Sequence, residues 1–254
     1  VEQTWAWLDS YLGPTGPHVM VTALPLYHIF ALTACCMLTM RAGGCCLLIA
    51  NPRDLKGLIA TVRNARFTVF SGVNTLYAAL ADHPGIKQVD FSNLKMSISG
   101  GMSTQEVVAR KWKAISGKPI VEGYGLSETS PILTVNRADI AEFTGAIGYP
   151  LPSTEITLRD EHGDAAPFGE RGELWARGPQ VTPGYWRRPD ETAKAMTSDG
   201  FFKTGDVAVM QPDGMFKIVD RLKDIILVSG FNVYPNEVEA ALAEHPKVKE
   251  VAVI

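Results

Sequence analysis

The sequence predicts an α/β fold: a layered portion with a parallel-rich sheet, followed by a small antiparallel β unit or barrel. Two observations carry this. Between about residue 19 and Pro152, short apolar runs alternate with helix-length stretches, the pattern of strands connected by crossover helices. After Leu151-Pro152 the runs shorten. Asp160-Glu161-His162-Gly163 and Gln211-Pro212-Asp213-Gly214 then read as hairpin-type connections.

Taken in order, strands are expected at 19–24, 45–49, 67–71, 95–99 and 119–122, and helices at 29–42, 54–64, 73–81 and 104–116. Ser103 with Glu106 three residues on fits a capping box at the start of the last helix. The antiparallel part is expected from runs at 154–159, 172–177, 205–210 and 215–220. Gly184-Tyr185-Trp186-Arg187-Arg188-Pro189 is aromatic and basic, but on an acidic chain it reads better as a packed connection than as a nucleic-acid contact. A third texture begins near Arg221. Pro235 suits the first turn of a helix whose apolar face is Val238, Ala241 and Leu242; His245-Pro246 ends it, and a strand is expected from 248 to 254.

Bulk properties exclude several classes. With 254 residues the chain can bury a substantial core. Its net charge of −3 provides no basic field for nucleic acid. The cysteines form two adjacent pairs, Cys35-Cys36 and Cys45-Cys46, without Cys-x-x-Cys spacing, so they read as reduced, buried thiols in a reducing compartment. The start has no basic region ahead of an apolar core, and the apolar window at 29–40 falls short of the ~20 residues that span a bilayer. A cytoplasmic protein is expected. The chain has no initiating Met and ends inside an apolar run, which reads as a piece of a longer protein.

The most informative stretch is Val121-Glu122-Gly123-Tyr124-Gly125-Leu126-Ser127-Glu128-Thr129. Two glycines allow close approach of backbone to a ligand. A hydroxyl can donate to phosphate oxygen, and a carboxylate is a hard oxygen ligand suited to Mg²⁺ held with a nucleotide. An ordinary strand-to-loop turn explains Gly-Tyr-Gly equally well. Gly100-Gly101 would place open backbone at a strand's carboxyl end, where ligands bind in such sheets, and a structural turn is again an equal explanation. Phe202-Lys203-Thr204-Gly205-Asp206 sets an acid just after a turn, and Asp220-Arg221-Leu222-Lys223-Asp224 is a charged linker. His28, in Pro25-Leu26-Tyr27-His28-Ile29-Phe30, reads on its own as a hydrogen-bonded core histidine.

These blocks, together with Ser71-Gly72-Val73-Asn74-Thr75-Leu76-Tyr77 and Ile226-Leu227-Val228-Ser229-Gly230-Phe231-Asn232-Val233-Tyr234-Pro235, stand in an order and at a spacing that resemble the adenylate-forming superfamily. Within it, the chain is most similar to bacterial long-chain fatty acid–CoA ligases, from about residue 20 to the end. The resemblance implies ATP, Mg²⁺ and coenzyme A as cofactors, a fatty acid as substrate, and acyl-CoA made through an acyl adenylate. It assigns adenine to Glu122, Gly123, Tyr124 and Gly125, bordered by Gly100 and Gly101. Ser127 would reach a phosphate, Glu128 would ligate Mg²⁺, Asp206 would accept the ribose hydroxyls, Arg221 would contact the ribose from the other side, and Asn232 would touch AMP. Lys223 matches the hinge of a small carboxyl-terminal domain, of which residues 221–254 would be the start, after 1–152 and a β-barrel subdomain at 153–220. His28 or its neighbouring aromatic would line the junction of the acyl and pantetheine channels, Phe30 would offer an apolar substrate wall, Gly72, Val73 and Gly101 would leave room for an alkyl tunnel, and Ser229 and Gly230 would line the pantetheine path. Burial of each substrate methylene there would contribute roughly 0.8 kcal/mol.

The likeness has gaps. Leu227 stands where relatives carry a phosphate-directed Lys, the family's phosphate loop is expected upstream of Val1, and its adenylation lysine beyond Ile254. Little or no turnover is therefore expected of these residues by themselves. Rival readings are an aryl- or medium-chain acyl-CoA or acyl-AMP ligase, and a non-catalytic nucleotide-binding truncation. No nucleic-acid partner is expected; contact with the inner face of the membrane and a homodimer are left open.

Overall fold

The computed structural model describes residues 1–12, 17–229, 231–245, 247–248 and 251–254. The chain divides into two compact units, Val1–Gly145 and Ala146–Ile254.

In the first unit, α1 (Glu2–Leu12) precedes β1 (Val19–Thr22), and the helix after β1 is π-wound over Ala31–Met37 before it continues as α2 (Leu38–Arg41). There follow β2 (Cys45–Leu48), α3 (Leu55–Arg63), β3 (Val69–Gly72), α4 (Asn74–Asp82), β4 (Met96–Ser99), α5 (Glu106–Ser116), β5 (Ile120–Tyr124) and β6 (Thr134–Val135). The sheet order is β2-β1-β3-β4-β5-β6. The first five strands are parallel, and β6 adds antiparallel to β5. All five expected strands and four expected helices are present, with α5 starting two residues later than expected. The sequence reading did not anticipate α1, although Thr4 and Leu8 bury one helical stripe.

The core of this unit is aromatic. Trp112 packs against Tyr77 (ring centroids 4.8 Å) and Phe70 (5.2 Å), and Phe67 meets Phe70 and Phe91 edge-on. Such pairs contribute about 0.5–1.5 kcal/mol each beyond their buried area. Their polar ends are satisfied: Trp112 Nε1 donates to Ser97 Oγ at 2.8 Å, and the Tyr77 hydroxyl lies 2.8 Å from the Ile98 carbonyl. Burial pushes the Tyr77 hydroxyl pKa well above the ordinary phenol value.

The capping box expected from Ser103 and Glu106 does not form. Helix α5 begins at Glu106 with Gln105 as its N-cap and no side-chain cap. Distant side chains act just before it: Glu122 Oε1 accepts the Thr104 N–H at 3.1 Å, and Asn74 Oδ1 accepts the Gln105 N–H at 3.0 Å. These bonds hold the backbone entering the helix and do not cap its first turn.

The second unit holds β7 (Tyr149–Pro150), β8 (Glu155–Arg159), β9 (Arg171–Arg177), α6 (Pro189–Ala195), β10 (Phe202–Met210), β11 (Phe216–Arg221), β12 (Ile226–Val228), β13 (Phe231–Val233) and α7 (Pro235–Ala243). An antiparallel sheet is present as expected, but among the described residues it is not closed into a barrel. Its order is β11-β10-β9-β8, an open meander in which the outer strands are not bonded to each other among the described residues. Alternation along β9 buries Gly172, Leu174 and Ala176 and turns Glu173 and Trp175 to the other face. Helix α7 is tied to β11 and β9: the Asp220 carboxylate accepts the Asn236 N–H at 3.0 Å, while Arg171 of β9 pairs with Glu237 at 2.7 Å and stacks on Tyr234 at 4.2 Å.

Two expectations are corrected here. Residues 251–254 carry no strand. The backbone of the aromatic-basic segment is packed, with the Tyr185 N–H on Thr192 Oγ1, but its Trp186 side chain is 86% exposed with Arg187 over the ring. No helix among the described residues is long and apolar enough to cross a membrane.

Candidate functional site

In the first unit the parallel register brings the carboxyl ends of β1, β3, β4 and β5 to one edge of the sheet. The connections leaving that edge carry most of the residues singled out above. His28 and Phe30 follow β1, Gly72 and Val73 follow or end β3, Gly100 and Gly101 follow β4, and Glu122 to Glu128 end and follow β5. This is the edge at which parallel α/β sheets bind ligands.

Contacts at the edge are close. A methyl group added at Gly100 would lie 3.1 Å from the Gly123 carbonyl oxygen and 3.4 Å from the Phe30 ring. Gly100, Gly123 and Phe30 therefore form one surface, though they lie far apart in sequence. Gly101 differs: its φ is +81° and its missing side chain faces open space. Gly72 fits under the Tyr77 ring, 3.1 Å from where a methyl would stand.

Gly125 has a different physical reason from the one expected. A methyl there would stand 1.6 Å from the Pro131 carbonyl oxygen, so the glycine is required by the loop closing on itself. Thr129, which sequence reasoning passed over, organises that closure. It is fully buried, its hydroxyl accepts the Leu126 N–H at 2.8 Å, and the same oxygen lies 2.8 Å from the Pro131 carbonyl. The result leaves Ser127 exposed and Glu128 half-buried in the short 3₁₀ turn Ser127–Thr129. The Glu122 carboxylate is engaged by the Thr104 amide, and its carbonyl accepts the Asn136 N–H at 2.9 Å. It holds the 100–105 connection in place. Among the described residues no three His, Cys, Asp or Glu side chains converge to hold a metal.

His28 is exposed, its Nδ1 accepting the Phe30 N–H at 3.2 Å, which corrects the reading of a core histidine. The cysteines differ in their surroundings. Cys35 is buried, donates to Ser71 Oγ at 3.2 Å, and has its thiol pKa pushed by burial up to about 11. Cys45 is exposed, contrary to the expectation that all four are buried.

In the second unit, Asp206 and Arg221 are direct partners across β10 and β11, with Arg221 Nε 3.3 Å from the Asp206 carboxylate. The Asp206 side chain is 5% exposed and that of Arg221 is 55% exposed. A bulge places Asp206 there. Lys203 pairs with Trp175 and Val207 with Glu173, so residues 204–206 stand opposite Leu174 alone. Bulges re-aim side chains in this way. Lys223 lies exposed in the 3₁₀ turn Leu222–Asp224. Asn232 is exposed opposite Leu227, and Ser229 (φ +51°) is at the turn of the β12–β13 hairpin. Gly230 lies outside the described residues.

A family model described as AMP-binding enzyme matches residues 1–186. The chain belongs to the AMP-binding enzyme family. Relatives of this family member include the long-chain-fatty-acid–CoA ligase of Yersinia pestis, 51% identical over 254 residues, which are 100% of the chain and 45% of that protein. The feruloyl-CoA synthase of an Amycolatopsis species is 39% identical over 235 residues, 92% of the chain and 47% of that protein. Among solved structures, ATP-bound MatB from Rhodopseudomonas palustris matches with a TM-score of 0.87 at 33% identity, over 100% of the chain and 50% of MatB. The anthranilate CoA ligase AuaEII in complex with anthranoyl-AMP matches with a TM-score of 0.89 at 27% identity, over 99% of the chain and 48% of that protein. The chain thus spans about half the length of the curated AMP-binding enzymes it matches.

Proposed function

We propose that the protein carrying this chain is an AMP-forming long-chain fatty acid–CoA ligase using ATP, Mg²⁺ and coenzyme A. A fatty-acid carboxylate oxygen attacks the α-phosphorus of ATP and pyrophosphate leaves. The CoA thiol sulfur then attacks the acyl carbon of the adenylate, AMP leaves, and the thiol proton passes to solvent. The observation that carries this reading is 51% identity, along every one of the 254 residues, to a relative named for that reaction.

The residues divide the work by position. Gly100, Gly101, Gly123 and Tyr124 present backbone and ring to adenine, and Glu122 acts by holding the 100–105 connection through Thr104. Gly125 and Thr129 set the loop from which Ser127 approaches phosphate. Glu128 supplies one carboxylate, which fits Mg²⁺ entering with the nucleotide better than a resident ion, because Mg²⁺ keeps several waters and takes few protein ligands. When bound it would offset charge on the phosphates. Asp206 accepts ribose hydroxyls, with Arg221 beside it and Asn232 contributing to AMP. Phe30, Gly72 and Val73 border the acyl chain, His28, Ser229 and Gly230 the pantetheine arm, and Lys223 is the hinge between 153–220 and 221–254. No side chain in this scheme is a nucleophile; positioning and charge stabilisation at phosphorus supply the rate.

A second reading, an aryl acid as substrate, is favoured by the feruloyl-CoA synthase relative. Phe30, packed on Gly100, offers an apolar wall with no hydroxyl to meet a phenol. Pyrophosphate release by the full-length protein, measured over fatty acids of increasing length and a set of aryl acids, decides between them. Preference for aryl acids overturns the fatty-acid reading. The proposal also includes a cytoplasmic location, peripheral contact with the inner membrane face and a homodimer; vesicle co-sedimentation and sedimentation velocity test these.

A further inference from the structure

The bulge that carries Asp206 breaks the ladder between β9 and β10, and three backbone groups at the break need partners. Side chains provide all three. Thr204 Oγ1 donates to the Leu174 carbonyl at 2.7 Å, and the same oxygen accepts the Asp206 N–H at 3.1 Å. Glu173 Oε1 accepts the Gly205 N–H at 3.0 Å. Gly205 itself sits at φ +74°, where a side chain would be strained. The other Glu173 oxygen is engaged too: Trp175 Nε1 donates to Oε2 at 2.7 Å. The Trp175 ring is flanked in turn by the Arg159 guanidinium (5.5 Å) and Lys203 Nζ (5.2 Å). A carboxylate accepts both donors at once, which an amide in the same place cannot do.

We propose that Glu173 is a positioning residue for Asp206. Clamped by Trp175, it holds the Gly205 turn so that the Asp206 carboxylate stays beside Arg221 and oriented toward a ribose. This deepens the function proposed above and rests on the reading of Asp206 as the ribose acceptor. Nothing in the local sequence indicates it, because Glu173 and Gly205 are 32 residues apart.

The test has two readouts on the intact chain. The first, without ligand, is amide hydrogen exchange at Gly205. Glu173→Ala should speed it roughly tenfold, the scale of losing one hydrogen bond to a charged acceptor. Glu173→Gln should speed it less. In a Trp175→Phe background, Glu173→Gln should change little, because the amide oxygen is then free to face Gly205. The second readout is calorimetric binding of AMP and 2′-deoxy-AMP, with Asp206→Ala as reference. Glu173→Ala should weaken AMP roughly tenfold and 2′-deoxy-AMP much less, with thermal unfolding followed in parallel. Unchanged exchange at Gly205 overturns the inference outright. Faster exchange with intact ribose discrimination also overturns it while sparing the ribose reading, provided Asp206→Ala abolishes that discrimination. If Asp206→Ala leaves discrimination intact, the ribose reading falls and the inference falls with it.

Discussion

Arg221 lies directly across from Asp206, its Nε 3.3 Å from a carboxylate that is almost fully buried. In the function proposed above, the acid and its cationic neighbour meet the ribose together. Arg221→Ala should therefore weaken AMP binding roughly tenfold, and Arg221→Lys should recover only part of the loss, because an ammonium does not reproduce the guanidinium fork. Calorimetric titration with AMP measures both.

Three glycines at the first unit's ligand edge should respond differently to alanine. Gly125→Ala brings a methyl to within 1.6 Å of backbone oxygen and should lower stability by at least about 3 kcal/mol. Gly101→Ala meets open space but a φ of +81°, so about 1 kcal/mol is expected. Gly100→Ala presses on the Gly123 carbonyl and the Phe30 ring, and should reduce AMP affinity more than it reduces stability. Denaturant unfolding of the three variants, with AMP titration of each, ranks them.

His18 sets a pH dependence of folding. It is buried, near Lys95, and its pKa is lowered first by desolvation and then by that charge. Its Nδ1 lies 3.4 Å from Thr68 Oγ1. The unfolded chain then binds a proton more readily than the folded one, so stability falls as pH drops below about 6.5 and this contribution levels off above it. Unfolding free energies measured from pH 5 to 8 should show this slope, and His18→Gln should flatten it.

The four thiols should not react alike. Cys45 is exposed, whereas Cys35 is buried with its pKa pushed to about 11 and its thiol on Ser71. Thiolate is the reactive form, so iodoacetamide at pH 8 should modify Cys45 long before Cys35, as read by peptide mass spectrometry. Comparable rates at the two sites would contradict the burial of Cys35.

Local chemistry explains why so much of the fold could be read in advance. The apolar runs at 19–24, 45–49, 67–71, 95–99 and 119–122 all became parallel strands, and the four inside the sheet, β1, β3, β4 and β5, are apolar because both their faces are covered, whereas β2 lies at the edge and is partly exposed. Asp54 and Gly117 behave as their residue types dictate, Asp54 accepting the Gly57 N–H at the start of α3 and Gly117 ending α5 at φ +73°. Glu128, Asp206 and Arg221 were nominated by motif. The reading failed at the start of α5, where Glu122 and Asn74 hold the 104–105 backbone and no side chain caps the helix. It also failed at His28, whose apolar neighbours in sequence do not bury it.

By itself, the sequence determined the order of the parallel strands and the helices between them, the family, and which acids and glycines to suspect, since each of these is written in residue type and short spacing. Only tertiary structure decided that Gly100 rests on Phe30 and Gly123, that Gly125 serves its own loop, and that Glu173 holds the turn before Asp206. Those relationships join residues from 6 to 70 positions apart through loop closure, strand register and a bulge, and a periodicity of two or 3.6 residues carries no information about any of them.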